Sequence, residues 1–408
     1  MKTLYVRLFQ NYWSPFLVMA LAGLLSALYF GITGTVWAVT GEFTRLAGHA
    51  MALFGADVSS WSYFKLIGMK GTTFTRTDGW IVWGMFAGAL IMVLLNNNFK
   101  IRAPRQKRRW AQGFAGGIVA GFGARLALGC NLAAFFTGVP QFSLHAWIFM
   151  VATAGGTFLG AKLVAAAWWK GKPVVTKGAI ARKAAKPSSV QPVLGAIAAV
   201  AYAGLVAYLF ASGHRMLGVA ALFGALFGIL IERGQICFTS AFRDLWISGR
   251  ATMTKAIIVG MAVSSIATLA VILINGMEPI TKIAALSTLV GGLLFGIGIV
   301  MAGGCETGMM YRLMEGQIVF LPVFLGNVIG AGALAYAWDH MGIYDTLVKS
   351  GSKINLIDKL GAGGALAATL IVLALGFAFA AYWQKHYRFK DGFKKGESAH
   401  GAKTTAVR

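Results

Sequence analysis

The chain predicts an all-α polytopic membrane protein with about ten membrane-crossing helices plus re-entrant half-helices, arranged as two inverted-topology repeats. Three observations predict it. Hydrophobic residues make up 57% of 408 residues and charged residues 12%, with a mean hydropathy of +0.69; soluble domains average about 25% charged. The apolar residues gather in stretches of the length a helix needs to cross the hydrocarbon core. One glycine-rich segment also occurs twice. Gly116–Cys130 reads GGIVAGFGARLALGC and Gly291–Cys305 reads GGLLFGIGIVMAGGC, at an offset of 175, with seven of fifteen positions identical.

In chain order the spans fall near 15–36, 79–95, 111–129, 143–168, 193–212, 216–231, 255–274, 283–302, 318–338 and 361–384. The first reads as a span rather than a cleaved leader, since no small-residue cleavage site follows it. FGITGTVWAVTGEFTR (30–45) follows the first span and FGILIERGQICFTSAFR (227–243) the sixth. At an offset of 200, Gly34 meets Gly234 and Trp37 stands opposite Cys237. Both stretches are too polar and glycine-rich for ordinary spans. They read as re-entrant or broken segments, which survive at membrane depth only inside protein or along a cavity. The expected organisation is a first half (1–169), a basic linker (170–192), a second half (193–384) and a basic tail (385–408). The spans at 193–212 and 361–384 are peripheral additions.

The net charge of +24 is concentrated in loops: Lys100, Arg102, Arg105, Lys107, Arg108 and Arg109 in one, Lys170 to Lys186 in another, and the tail from Lys385. Lys and Arg in short loops mark the cytoplasmic side and attract anionic lipid, so nucleic acid is not an expected partner. Lys2 and Arg7 with the basic tail place both termini in the cytoplasm, and on that topology no basic loop is expected on the outer side. The helix entering Cys130 then runs outward, while its twin entering Cys305 starts from NGMEPITK, a short loop without net charge, and runs inward. Antiparallel copies of this kind share a site near mid-membrane.

GGxxxGxG places small residues on one helix face and lets backbones approach closely. Gly129-Cys130-Asn131 and Gly304-Cys305-Glu306 differ from plain packing glycines, because glycine before a polar step breaks a helix inside the membrane. Broken ends expose dipoles, and N-terminal ends attract anions. Cys130, Cys237 and Cys305 form no CxxC and no cluster with zinc spacing, so free thiols are expected, with no metal and no cofactor. A thiol is a weak donor and a polarizable partner, suited to anions whose outer atom is sulfur or selenium.

Arg125, Glu232, Arg233, Arg243, Asp244, Glu306 and Arg312 lie in or against spans. Each would cost about 2.5–3.5 kcal/mol at a helix centre in lipid, so each should pair or face a polar interior. Arg125 has no acid beside it in sequence and is the candidate for attracting an anion. The six histidines form no HxxxH pair, and His145 reads as interfacial. P-loop, GxSxG and dinucleotide motifs are lacking, which argues against ATP-driven transport and against an enzyme.

The segments GFGARLALGCNLAAFFTGVPQFSLHAW, ERGQICFTSAFRDLWISGR and AGGCETGMMYR resemble the YeeE/YedE family of bacterial inner-membrane proteins, most closely its YedE branch, associated with selenium transport. The similarity runs from GITGTVWAVTGEFTR to the last span. It implies thiosulfate uptake through inverted repeats whose pore cysteines hold the anion by S–H hydrogen bonds. Cys130 and Cys305 match the glycine–cysteine motif of each half and Cys237 matches a third pore cysteine. Trp37 stands where a fourth would complete the symmetry. A cytosolic sulfurtransferase or selenium-handling protein is a partner by family analogy.

The expected function is uptake of a small selenium- or sulfur-containing species along Cys130, Cys237 and Cys305, with Arg125, Asn131, Glu306, Trp37, Gly129 and Gly304 beside the path. The alternative is a membrane thiol enzyme relaying sulfur or selenium covalently. A dianion entering a cell negative inside is opposed by about 4.6 kcal/mol per 100 mV. Proton coupling, a monoanionic substrate or prompt consumption must therefore assist.

Overall fold

The computed structural model describes residues 9–171, 188 and 190–387. Lys2, Arg7, the linker residues 172–187 and 189, and the tail from 388 lie outside the described residues. Among the described residues ten helical stretches are long and apolar enough to cross a membrane.

The elements in order are α1 (Pro15–Thr33), α2 (Thr40–Leu53), α3 (Thr77–Leu95), α4 (Lys107–Leu126), a π-helical turn (Asn131–Phe136), α5 (Leu144–Ala165) and α6 (Val190–Ala211). There follow α7 (Arg215–Arg233), α8 (Phe238–Ser248), α9 (Thr252–Asn275), α10 (Leu286–Ala302), α11 (Glu306–Met314), α12 (Phe320–His340) and α13 (Leu356–His386). One short antiparallel pair joins Ile283–Ala284 to Ser352–Lys353.

The sequence explains where the helices stop. Pro15 opens α1, and Gly34 closes it at φ 69° with its N–H on the Phe30 carbonyl. Gly303 closes α10 in the same way at φ 85°, its N–H on Ile299. Helices α6 and α13 bury only 17% and 22% of their apolar windows inside the protein, against 78% for Lys107–Phe136. They are the least buried of the ten spans.

Helices meet at glycine. On α4 and α10 the repeated segments pack directly on each other and run antiparallel: Gly116 lies against Ala302, Gly298 against Ala120, Gly123 against Phe295, and Gly291 against Ala127. A Cβ at Gly116 or Gly298 would come within 2.3 Å of a facing backbone nitrogen, so only glycine allows this approach. The other close pairs are α1 with α9, α3 with α7, α4 with α12, and α5 with α10. Exchanging α1 with α7, α3 with α9, α4 with α10 and α5 with α12 maps this set of pairs onto itself. The half-helices obey the same exchange, α2 packing on α12 and α8 on α5.

Two faces follow from the connections. The loop before α4 pairs with the segment after α11, through Lys100 N–H to Glu315 and the Arg102–Gln317 bridge. The opposite face gathers the breaks after α1 and α4, the loop 276–285 and the segment 341–355. It also carries Lys65, Lys70, Lys349 and Lys353, but Asp57, Asp78, Asp339, Asp345 and Asp358 lie in or beside the same connections, so these loops carry little net charge.

Candidate functional site

Each cysteine occupies the N-cap of a broken element: Cys130 before the π-turn, Cys237 before α8, and Cys305 before α11. The breaks are sharp. Leu128 takes φ 56° and Gln235 φ 50°, left-handed backbone that costs a non-glycine residue energy and that clusters at functional sites. Gly129 and Gly304 leave room beside the thiols. A side chain at Gly129 would meet the Lys282 ammonium at 3.0 Å, and one at Gly304 would meet the Phe320 ring at 2.9 Å.

The thiols fall into two groups. Cys237 Sγ and Cys305 Sγ lie 4.0 Å apart, and Cys305 Sγ accepts from Gly308 N–H at 3.4 Å. Cys130 Sγ accepts from the Thr40 hydroxyl at 3.2 Å, Thr40 being the first residue of α2. All three cysteines are free and buried. Thr40 therefore stands to Cys130 as Cys237 stands to Cys305.

Trp37, aligned with Cys237 by sequence, lies elsewhere. Its ring stacks on Phe227 at 3.7 Å and its Nε1–H donates to Met85 Sδ at 3.2 Å, deep in the aromatic core. It does not line the cavity described below. The break after α1 is longer than the break after α7, so the residue that reaches the facing thiol is displaced along the chain.

Between the two thiol groups lies a charged bridge. Arg125 Nη2–H donates to Glu306 Oε1 at 3.1 Å, and Asn327 Nδ2–H donates to the same oxygen at 3.1 Å. Arg125 is thus paired by an acid from the other half, which no local sequence pattern announced. Glu306 Oε2, Arg125 Nε and both polar atoms of Asn131 are buried with no hydrogen-bond partner among the described residues. Unsatisfied polar atoms are costly in a packed interior, and their concentration here makes this the candidate site.

Three other arginines flagged by the sequence, of which only Arg233 is fully buried, hold local structure. Arg233 grips Glu232 at 2.5 Å and the Phe9 carbonyl, and Arg243 pairs with Asp244 at 2.9 Å. Arg312 donates to the Gly303 carbonyl at 3.0 Å, holding the end of α10. His145 is fully buried rather than interfacial, its Nε2 on the Ala127 carbonyl at 2.8 Å. The break after α4 frees that carbonyl, and the ring fills the place of the missing helical partner.

On the face of the 276–285 loop a cavity of about 510 Å³ opens toward Arg125, with Thr40, Tyr63, Lys282 and Trp338 among its lining residues. Lys282 Nζ–H donates to the Leu128 carbonyl at 2.9 Å and to the Ala133 carbonyl at 2.8 Å, tying both sides of the break together. Thr40, Lys282 and Asn327 were missed by sequence reasoning. Lys282 was visible as the cation of NGMEPITK, but the loop was read only for its zero charge. Among the described residues no cluster could hold a metal ion.

The family model described as sulphur transport matches residues 2–159 and 233–406. The chain belongs to this sulphur-transport family. It is 48% identical over 389 residues to "Probable transporter YedE" of Salmonella typhimurium, covering 94% of this chain and 95% of that protein. It is 47% identical over 383 residues to the Escherichia coli K12 protein of the same name, covering 92% and 94%. Against "Thiosulfate transporter TsuA" of Spirochaeta thermophila the identity is 35% over 129 residues, 30% of this chain and 38% of that one. The expected YeeE/YedE membership thus stands, and the chain is a multi-pass membrane protein of a transporter family.

Proposed function

We propose that this protein carries a small sulfur- or selenium-containing anion across the bacterial inner membrane, from the 510 Å³ cavity past Cys130 to the Cys305–Cys237 pair. The observation that carries this reading is the placement of all three thiols at the N-caps of broken elements, on antiparallel halves. Weak S–H donors beside oriented peptide N–H groups suit a soft anion that must be held and then released. The Arg125–Glu306 pair separates the two thiol groups. An anion entering from the cavity can take the place of Glu306 on Arg125, so that the guanidinium never stands uncompensated.

In this reading the two halves form an inverted repeat. The cavity face is periplasmic, and the face of the 96–106 loop is cytoplasmic with both termini. Relatives named for thiosulfate transport support sulfur as the transported element. Selenium rests on the resemblance to the YedE branch, and delivery to a cytosolic sulfurtransferase or selenium-handling protein on the same analogy.

Reconstitution tests the reading. Proteoliposomes holding the protein should accumulate labelled thiosulfate or selenite. Losing one hydrogen bond to a charged ligand corresponds to about tenfold or more, so C130A and C305A should each reduce uptake by that factor. Uptake that survives the double alanine variant sinks the pathway.

The 4.0 Å separation of Cys237 and Cys305 favours one second reading, a covalent relay. A thiolate would attack the outer sulfur of thiosulfate, form a persulfide and release sulfite. Intact-mass spectra after turnover separate the two, since only the relay leaves one added sulfur on the protein.

A further inference from the structure

We infer that the cavity around Lys282 is a separate oxyanion-binding site, which holds the oxygen end of a tetrahedral dianion before the thiols read its sulfur or selenium end. The inference deepens the transport reading and rests on it for the direction of travel, but the binding site stands on its own geometry.

The cavity lining includes three cations, Arg125, Lys282 and Lys353, and no carboxylate. Glu306 compensates Arg125 from the far side, so the lining keeps the charge of two lysines. An ammonium has three donors. Two of those on Lys282 go to the Leu128 and Ala133 carbonyls, which fixes the nitrogen in place and leaves the third for the cavity. The same contacts place the charge at the C-terminal end of α4, where a cation is favoured.

Thr40, Thr44, Tyr63 and Thr281 also line the cavity, their hydroxyl protons given to Cys130 Sγ and to the Thr40, Arg125 and Pro279 carbonyls, so an entering oxyanion meets the Lys282 ammonium first and must turn these hydroxyls to gain them. Oxygen-rich, strongly hydrated anions suit such donors, whereas thiols suit the softer atom. Thr40 joins the two chemistries: it lines the cavity and donates to Cys130 Sγ at 3.2 Å. An ion held by its oxygens at Lys282 can therefore turn its sulfur or selenium toward Cys130.

Discrimination is then split between two places. Sulfate, which has the charge and shape but no soft atom, should occupy the Lys282 site and go no further. It should act as a competitive inhibitor of uptake without being transported.

The test uses the full chain in detergent, with sulfate as the probe, so it does not depend on transport. Trp338 lines the cavity, and the iodide quenching lost in W338F isolates its signal. Sulfate should protect this signal in the wild type and in K282R. In K282Q its apparent affinity should fall by about tenfold at low salt, the effect of removing one nearby charge. Unchanged sulfate protection in K282Q overturns the inference, whatever the uptake assays show.

If K282Q fails to yield monodisperse protein, K353Q replaces it, because the Lys353 side chain lies exposed at the rim. A two- to threefold weakening at low salt supports the site, and an unchanged affinity rejects it. Sulfate binding that is intact while thiosulfate uptake is absent would instead reject transport and leave the site standing.

Discussion

Arg125 and Glu306 lie 181 residues apart in the chain and meet at 3.1 Å in the middle of the molecule. One closes α4 and the other opens α11, so the bridge joins the two glycine–cysteine copies across the antiparallel helix pair. Both side chains are almost completely buried, at 3% and 2% exposure.

Breaking this pair on one side should be worse than removing it. E306A leaves a buried guanidinium without its acid and should destabilise the protein by about 3–5 kcal/mol. R125M/E306M should lose much less, and both should be inactive in uptake. Thermal unfolding in detergent measures the difference. A double variant less stable than E306A would show that the pair is not the unit described.

Close helix contact at the repeat makes a second prediction. G298A pushes a methyl against the Ala120 backbone nitrogen, where a Cβ would stand at 2.3 Å. Overpacking of this kind costs about 1–3 kcal/mol. G363A, where nothing lies within 4 Å of the added carbon, is the control and should leave the melting temperature in place.

Anion capture should depend on pH through Lys282, which sits in the loop between α9 and α10. The residue as a whole is partly exposed, but its ammonium is enclosed by two carbonyls. That burial lowers its pKa to about 8, with Arg125 pushing the same way. The charge is complete below that value and lost above it, so sulfate and thiosulfate should bind tightly near pH 7 and weaken as pH rises through about 8. Tyr63, facing the cavity, is raised to about 12 by burial and stays neutral over this range. Arg125 and Lys353 are the other lining cations, and K282R should flatten the profile. A wild-type affinity that is flat from pH 7 to about 9.5 would contradict the assignment.

The thiol pair yields a fourth expectation. With Sγ atoms 4.0 Å apart, Cys237 and Cys305 should form a disulfide under mild oxidant and block uptake, and dithiothreitol should restore it. C237A should be insensitive to the oxidant. Peptide mapping checks the linkage, and a Cys130-containing disulfide in its place would refute the two-group arrangement.

Thr40 supplies the fifth. T40V removes the hydroxyl that meets Cys130 and should lower uptake about five- to tenfold, the worth of one modest hydrogen bond. T40C should retain transport, because it restores a thiol at the position that matches Cys237. W37C should not substitute for it, since the Trp37 ring is stacked in the core.

Much of this site was legible in the chain. The doubled segment gave Cys130, Cys305 and the glycines that let α4 and α10 touch, and the polar stretch after α7 gave Cys237. Thr40 escaped because aligning the two breaks by their glycines puts Trp37 opposite Cys237. The structure instead shifts the register across loops of unequal length. Lys282 escaped because a lone lysine in a neutral loop carries no pattern.

Membrane character, the number of spans and the antiparallel run of the twin segments followed from hydropathy, charge placement and repetition, which are properties of the chain taken locally. Which acid meets Arg125, which hydroxyl meets Cys130 and which carbonyls hold Lys282 were decided only by tertiary structure. Those contacts join residues from different breaks, and their distances depend on how closely glycine lets the helices approach. A linear sequence records which residues are present, but only the packed helices determine which of them share a cavity.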